Sequence, residues 1–456
     1  MFLPNDITSY IIEQFCYFPT LHACSLVCRS FVVPSQKRLF HTIYLNDVRK
    51  AQEHCQRFYD TLTDNPGLSS HVRELYIQDY HRSDYQIRRP INWASYDGRL
   101  HMILKMLHQL RLLSFQFCDA NTRLPKWDRL SSELKLSLLR LFQSPNLEIC
   151  HLRGIELPFN FFDTFRSVRH LSLSSISMET FPVLVSNGEC VQDGPDLQQN
   201  PRPSKNIHLA SLELWNCCVM PFKPIRASLD LSQLREVSIQ SQSPDIVWEA
   251  IKDTTLLESL TWDIRHHHSE QSYTAIMGGK NTEIASILVI SEQDEPFDPG
   301  NIDLSLFPTL RILRIAISSF CYERDPLPWL IRSLKDIELA AAGRDDASKL
   351  EEISLHIGCH SSINKVSVLS SHSIWTDLDK LLTTSPTFHH LRKFKIYVFH
   401  ASIPNILFSG WDMTGIVPMM CSSLPSLRRR GILYVEPTSF TLKQILSAGS
   451  SLGQNP

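Results

Sequence analysis

The sequence predicts an α/β protein in which a short N-terminal helical unit precedes a long, irregular solenoid of parallel strands. Two observations support this fold class. Residues 3–45 contain three segments with helical apolar spacing, punctuated by Pro19 and Pro34. Beyond residue 45, one apolar pattern returns eleven times at uneven intervals.

The N-terminal unit is predicted to contain three helices. Asn5 or Asp6 can cap the first, because a short side-chain oxygen accepts hydrogen bonds from the free N–H groups at a helix start. Pro19 is expected to end that helix and Thr20 to cap the second. Pro34 suits the first turn of the third, where its missing N–H has no partner. The predicted apolar faces comprise Ile7, Ile11, Ile12 and Phe15 in the first helix, and Leu21, Cys24, Val27 and Cys28 in the second.

Residues 41–45 then alternate like a strand. Three short helices cannot bury much surface, and a unit of about 40 residues usually needs outside help to be stable. Several apolar side chains are therefore expected to stay exposed, which usually marks a partner site.

The segments LPNDI, LHACSLVCRSF and QKRLF of this unit resemble an F-box, as found in F-box proteins of mushroom-forming fungi. The resemblance implies docking to the Skp1 adaptor and, through it, to the cullin of a ubiquitin ligase. By motif position, the implied Skp1-binding residues are Leu3, Pro4, Ile7, Ile11, Leu21, Leu26, Val27, Cys28 and Phe31. Phe31 stands where many family members have Trp. The alternative is an ordinary helical cap on a larger domain.

The repeated pattern is apolar, two residues, apolar, one residue, apolar. It starts at Val72, Leu110, Leu147, Val168, Leu209, Leu234, Leu257, Ile284, Leu310, Leu350 and Leu391. The shorter intervals match a leucine-rich repeat of 20–29 residues. Cys118 and Cys217 keep the Asn/Cys position of that repeat, whereas other repeats do not, so we expect an irregular leucine-rich-repeat-like domain.

The segments between these strands are expected to return as helices on the other side of the sheet. Candidate return helices lie at 131–142, 245–252, 326–334 and 374–382. The competing interpretation is an α/β sheet without the curvature of a solenoid.

The sequence divides into three predicted parts. These are the F-box at 1–45, the leucine-rich-repeat-like domain at 46–436 and a C-terminal tail at 437–456. Residues 186–206 are rich in Gly, Pro, Asn and Gln and are predicted to form a mobile loop, and 291–301 form a shorter acidic loop.

Composition argues for a soluble protein of the cytoplasm or nucleus. The chain has 456 residues, 43% of them hydrophobic, and a formal net charge of −2, which favours neither nucleic acid nor an anionic membrane. The first residues lack a signal peptide, and no apolar run approaches the roughly 18 residues that span a bilayer. The twelve cysteines contain no CxxC pair and are expected to be reduced thiols.

Catalytic and metal-binding motifs are not apparent. His266, His267 and His268 are consecutive, and neighbouring residues of a strand point to opposite faces, so a shared metal is not expected. The sequence has no GxSxG, HExxH or P-loop motif. We therefore expect neither enzyme activity nor a cofactor. The competing class, a hydrolase or metalloenzyme that uses the Cys and His residues, predicts stoichiometric metal after purification.

The open face of the predicted strands is the expected substrate surface. By alternation it includes Tyr76, Gln78, His151, Arg153, Glu213, Trp215, Thr261, Asp263, Arg314, His356, Lys395 and Tyr397. The residues expected to bind substrate are Tyr76, Arg153, Glu213, Trp215, Asp263, Arg314, Lys395 and Tyr397. This mixture of aromatic, basic and acidic side chains suits protein recognition. The expected function is a non-catalytic substrate receptor of a ubiquitin ligase; the alternative is a repeat scaffold without a ligase.

Overall fold

The computed structural model contains α-helices and parallel strands in the residues that it describes. It describes residues 5–15, 17–45, 51–80, 93–118, 126–158, 160–178, 208–215, 228–240, 244–264, 302–317, 327–342, 348–359, 373–400 and 416–438. Within these residues are twelve α-helices and fourteen strands. They form two compact units, Met1–Gln233 and Leu234–Pro456. The predicted boundaries of the F-box, repeat domain and tail stay predictions.

The first unit begins with three helices and a strand. These are α1 (Asn5–Glu13), α2 (Phe18–Val27), α3 (Arg29–Leu39) and β1 (Thr42–Leu45). Helix α3 packs against both α1 and α2. The buried side chains of the three helices are Thr8, Ile12, Leu21 and Ser35. This interior is small, as expected for helices of 9 to 11 residues.

Three local predictions for these helices are wrong. Pro19 lies in the first turn of α2 instead of ending α1, and the N-cap position is Tyr17, not Thr20. A proline fits there because the first N–H groups of a helix have no intrahelical partner. Pro34 lies inside α3, which begins at Arg29. Packing of α3 on its two neighbours overrides the local preference for a proline at the helix start.

The rest of the first unit contains four α-helices and seven strands within the described residues. The helices are α4 (Ala51–Asp64), α5 (Trp93–Tyr96), α6 (Leu100–Met106) and α7 (Ser132–Phe142). The strands are β2 (Glu74–Tyr80), β3 (Leu112–Cys118), β4 (Ile149–Arg153), β5 (Glu156–Leu157), β6 (His170–Ser174), β7 (Ser177–Met178) and β8 (Ser211–Trp215). Strands β1, β2, β3, β4, β6 and β8 pair in parallel in that order, and β5 pairs separately with β7.

The second unit repeats this arrangement. Its strands are β9 (Glu236–Gln240), β10 (Ser259–Ile264), β11 (Ile312–Ile317), β12 (Glu352–Cys359), β13 (Lys393–His400) and β14 (Leu433–Thr438). Its helices are α8 (Pro244–Ile251), α9 (Leu327–Ala342), α10 (Ser373–Thr384), α11 (Ile416–Ser423) and α12 (Pro425–Arg429). Each strand from β9 to β14 pairs in parallel with the next along the chain.

The repeated apolar pattern predicts the strands well. In ten of its eleven occurrences, a strand begins two residues after the first apolar residue. The eleventh, at Ile284, lies outside the described residues. The three apolar positions are buried because they face the helices, as Leu310, Leu313 and Ile315 illustrate. The four predicted return helices are confirmed as α7, α8, α9 and α10. The helices α4, α5, α6, α11 and α12 and the strands β5, β7 and β14 were not predicted.

Gly154 shapes the end of β4. Its φ is +68°, a left-handed conformation, and a Cβ atom there would lie 1.9 Å from the carbonyl oxygen of Phe117. Its N–H donates a hydrogen bond of 2.9 Å to the Ser174 carbonyl on β6. Glycine is therefore required both by the backbone conformation and by the close approach of β3.

The predicted loops at 186–206 and 291–301, His266 to His268 and Cys217 lie outside the described residues, as does the tail beyond residue 438.

Candidate functional site

The three N-terminal helices expose much of their apolar surface. Thirteen large apolar side chains are exposed among the described residues, and eight of them belong to or directly precede these helices. The eight are Ile7, Tyr10, Ile11, Tyr17, Phe18, Leu26, Val27 and Val33. We call these eight residues the N-terminal apolar surface. This concentration of exposed apolar groups in one small segment differs from the single scattered ones that are ordinary on protein surfaces.

Exposure divides the residues implied to bind Skp1. Leu26 and Val27 are 74% and 68% exposed at the end of α2, and Ile7 and Ile11 are 47% and 41% exposed on α1. Ile7 and Ile11 are one helical turn apart and share a face of α1. The single apolar stripe predicted for α1 is therefore divided: Ile7 and Ile11 are exposed, whereas Ile12 is buried.

The remaining residues of this set have other surroundings. Leu21 is buried, so its side chain supports the packing of the helices, and Phe31 is half-buried. Cys28 is exposed, and its Sγ lies 2.9 Å from Ser30 Oγ; this hydrogen bond lowers the pKa of the thiol. Leu3 and Pro4 lie outside the described residues. Skp1 contact by each member of the set stays a prediction.

The predicted open-face residues of the first unit lie in two rows across its sheet. One row is Tyr44, Tyr76, Ser114, His151, Ser172 and Glu213. The other is Gln78, Gln116, Arg153, Ser174 and Trp215. The strands pair in parallel in constant register, so the residues of a row lie side by side. The predicted residues of this unit therefore lie on the same face of the sheet, as strand alternation indicates.

Aromatic stacking marks the β1 edge of this face. The rings of Tyr44 and Tyr76 are stacked with centroids 4.7 Å apart, and Tyr76 Oη lies 3.5 Å from Glu74 Oε2. Burial, followed by the Glu74 charge, raises the pKa of Tyr76 to about 12, so its hydroxyl stays neutral. Tyr44 was missed by sequence reasoning although alternation within residues 41–45 could have identified it.

His151 occupies the middle of the same row. Burial lowers the pKa of its imidazole, and the charge of Glu213, on the second strand along, opposes this effect. His151 is therefore held as a neutral hydrogen-bonding group at neutral pH.

The second unit carries two corresponding rows. One is Ser238, Thr261, Arg314, Ser354, Lys395 and Tyr434, and the other is Gln240, Asp263, Ala316, His356, Tyr397 and Glu436. Arg314, Lys395 and Tyr397 are thus neighbours of one central strand, β12. Asp263 belongs to β10, two strands away from β12.

A polar cluster surrounds the centre of β12. We call Arg314, Glu352, Ser354, His356, Lys395 and Tyr397 the β12 cluster. Arg314 and Lys395 flank Ser354 on the two neighbouring strands, while Glu352 and His356 precede and follow Ser354 by two residues on β12 itself. Arg314 and Lys395 expose about a quarter of their side chains, at 25% and 24%.

Glu352 is the internal counterion of the β12 cluster. Its Oε2 lies 3.0 Å from Lys395 Nζ, and its Oε1 lies 3.7 Å from Arg314 Nη2 and accepts a hydrogen bond of 3.1 Å from Ser354 Oγ. Burial raises the pKa of Glu352, but the Lys395 hydrogen bond and the two positive charges more than offset this effect, so the pKa is lowered. The carboxylate therefore stays ionised at neutral pH.

His356 lies next to the charges of this cluster. Its ring stacks on Tyr397 with centroids 4.6 Å apart, and only 3% of the residue is exposed. Burial, and then the charges of Arg314 and Lys395, lower its pKa to about 4. Glu352, Ser354 and His356 form an i, i+2, i+4 series; sequence reasoning placed His356 on this face and missed the other two.

No helix within the described parts of the chain has the length and apolar content needed to cross a bilayer. Among the same residues, no three His, Cys, Asp or Glu side chains are grouped to hold a metal ion. No protein-family model matches the sequence, and no curated protein sequence matches it significantly.

Proposed function

We propose that the protein is the substrate-receptor subunit of a ubiquitin ligase of the Skp1–cullin–F-box type. In this proposal the three N-terminal helices are an F-box that docks a Skp1-like adaptor. The remaining parallel strands and helices form an irregular leucine-rich-repeat solenoid, and its strand face holds a protein substrate. The chain itself catalyses nothing; it raises the effective concentration of substrate near the ubiquitin-loaded enzyme.

The N-terminal apolar surface is the observation that carries the proposal. Its residues Ile7, Ile11, Leu26 and Val27 coincide with positions that the F-box resemblance assigns to Skp1 contact. Fully covering an exposed apolar side chain contributes about 1.5–3 kcal/mol, and these four, which are 41–74% exposed, would each contribute a part of that. The three helices bury few of their own side chains, so a bound partner would also stabilise their folded state.

The strand faces support the receptor half of the proposal. Each unit presents rows that contain aromatic, basic and acidic side chains. Aromatic residues and Arg are enriched in protein interfaces, while acidic side chains repel the phosphates of a nucleic acid. Tyr76, Arg153, Glu213 and Trp215 are the proposed substrate contacts of the first unit. Those of the second are Asp263, Arg314, Lys395 and Tyr397.

The proposal is tested by expressing the full-length chain with Skp1 and purifying it through an affinity tag. A stable complex of the two proteins that also retains a cullin supports a ligase subunit. A folded chain that leaves Skp1 behind contradicts it and favours a repeat scaffold that binds proteins without a ligase.

A further inference from the structure

The β12 cluster carries an unbalanced charge. Arg314 and Lys395 contribute two positive charges and Glu352 one negative charge, which leaves one positive charge in excess. His356 adds none at neutral pH. The neighbouring strands place Thr261 and Tyr434 beside this row, and the Glu436 carboxylate lies beyond Tyr397. The six residues of the cluster therefore carry a net charge of +1, which one bound anionic group would balance.

Polar atoms in the cluster are incompletely paired. The 3.7 Å contact of Arg314 with Glu352 is longer than a hydrogen bond, and within the described residues its guanidinium makes none. The Nδ1 atom of His356 is buried and has no hydrogen-bond partner within the same residues. Buried polar atoms are nearly always paired, so an unpaired one in a cationic cluster indicates a missing partner.

We propose that the β12 cluster is a binding site for a carboxylate group presented by a protein segment. Arg314 and Lys395 bind the carboxylate, and Glu352 is the internal competitor that balances one of their two charges when the site is free. The planar guanidinium offers paired N–H donors that match the two oxygens of a carboxylate. A single negative charge balances the cluster, whereas a dianion would leave an excess of negative charge in a half-buried site.

The substrate group that contacts the second unit is therefore a carboxylate. The identity of the carrier as a ubiquitination substrate rests on the proposed function. The carboxylate site itself does not, because it depends only on residues of this chain.

Fluorescence anisotropy on the full-length chain tests the site, with labelled hexaglutamate as the probe and hexaglutamine as the uncharged control. Arg314→Gln with Lys395→Gln should weaken hexaglutamate binding about tenfold or more, since two charge-assisted contacts are lost. Arg392→Gln with Lys393→Gln also removes two positive charges, from neighbouring exposed residues, and should change hexaglutamate affinity less than about twofold. Hexaglutamine should not bind measurably.

Glu352 gives the sharper test. If it competes with the ligand, Glu352→Gln should tighten hexaglutamate binding. Glu351→Gln changes the net charge by the same amount, but Glu351 pairs with Arg311 outside the cluster and should have little effect. Equal tightening by both variants would show a general charge effect and overturn the proposal.

A measurement without substitutions covers the case in which these variants misfold. Hexaglutamate should slow acetylation of Lys395 by an amine-reactive reagent, read by peptide mass spectrometry, while Lys393 reacts at an unchanged rate. Equal protection of both lysines, or tighter binding of oligothymidylate than hexaglutamate at the same residues, overturns the site. Skp1 binding is measured separately. A chain that binds hexaglutamate at Lys395 but does not bind Skp1 contradicts the ligase proposal and supports the carboxylate site.

Discussion

The buried carboxylate of Asp379 in α10 accepts a hydrogen bond of 2.8 Å from the backbone N–H of Leu427, 48 residues later in the chain. Its other oxygen accepts from the N–H of Ser426 at 3.0 Å. Both N–H groups belong to the first turn of α12 and have no partner inside that helix. One side chain thus caps a helix from a distant part of the second unit.

Replacing this cap should destabilise the second unit. Asp379→Ala leaves two N–H groups without their acceptor and is expected to cost about 2 kcal/mol of the free energy of unfolding, measured with urea. Asp377→Ala is the matched control, because Asp377 is exposed on the same helix and should change stability by less than about 0.5 kcal/mol. Equal losses from the two variants would contradict a capping role.

Gly154 should be less replaceable than Gly67, Gly98 or Gly431. Gly154→Ala forces a Cβ atom against the Phe117 carbonyl and requires a positive φ, so a loss of about 3 kcal/mol or more is expected. Gly431 also has a positive φ but has open space around it, and Gly431→Ala should cost only about 1 kcal/mol. Thermal unfolding of both variants distinguishes the cost of the close contact from the cost of the backbone strain. A smaller loss of stability at Gly154 than at Gly431 would be inconsistent with this geometry.

His356 predicts a pH dependence of stability. Its pKa is about 4 in the folded chain and near 6.5 when unfolded, so the unfolded chain binds more protons between these values. Stability should therefore fall as pH drops from about 6.5 to 4, by about 3 kcal/mol from this residue. Arg314 and Lys395 reinforce the effect, and Glu352 opposes it.

Urea unfolding at several pH values measures this slope. His356→Asn keeps a polar side chain without a titratable group and should flatten the dependence between pH 4 and 6.5 relative to the wild type. Identical slopes in the two proteins would show that His356 does not titrate as described.

The exposed and buried leucines of α2 should respond in opposite ways. Leu26→Ser with Val27→Ser should lower binding of a hydrophobic fluorescent dye to the isolated chain with little loss of stability, because both side chains are exposed. Leu21→Ala should instead cost about 2–4 kcal/mol, because Leu21 is buried. Dye fluorescence that stays the same after the double change would place the exposed apolar surface elsewhere in the chain.

Strand positions could be predicted from sequence because each strand buries alternate residues against helices. Leu310 and its equivalents precede ten of the fourteen described strands by two residues, and alternation then assigned Arg314 and Lys395 to the other face. This inference needs only the two-residue period of a strand and the burial of one side.

Other features depend on contacts between distant residues, which local patterns do not contain. The Asp379 cap joins residues 47 and 48 positions apart, and the close approach of Phe117 to Gly154 depends on how two strands end. Pro34 was misplaced for a related reason, since packing of α3 outweighs the local preference of proline. The charge balance of the β12 cluster likewise became apparent only from the pairing of three strands.

The most direct test of the proposed function is the affinity of purified Skp1 for the full-length chain, measured by calorimetry. We predict a one-to-one complex that Leu26→Ser with Val27→Ser weakens about tenfold or more. Leu136→Ser, at an exposed leucine of α7, should leave the affinity unchanged. A folded wild-type chain that does not bind Skp1, or a double variant that binds it as tightly as the wild type, would contradict docking through the N-terminal apolar surface.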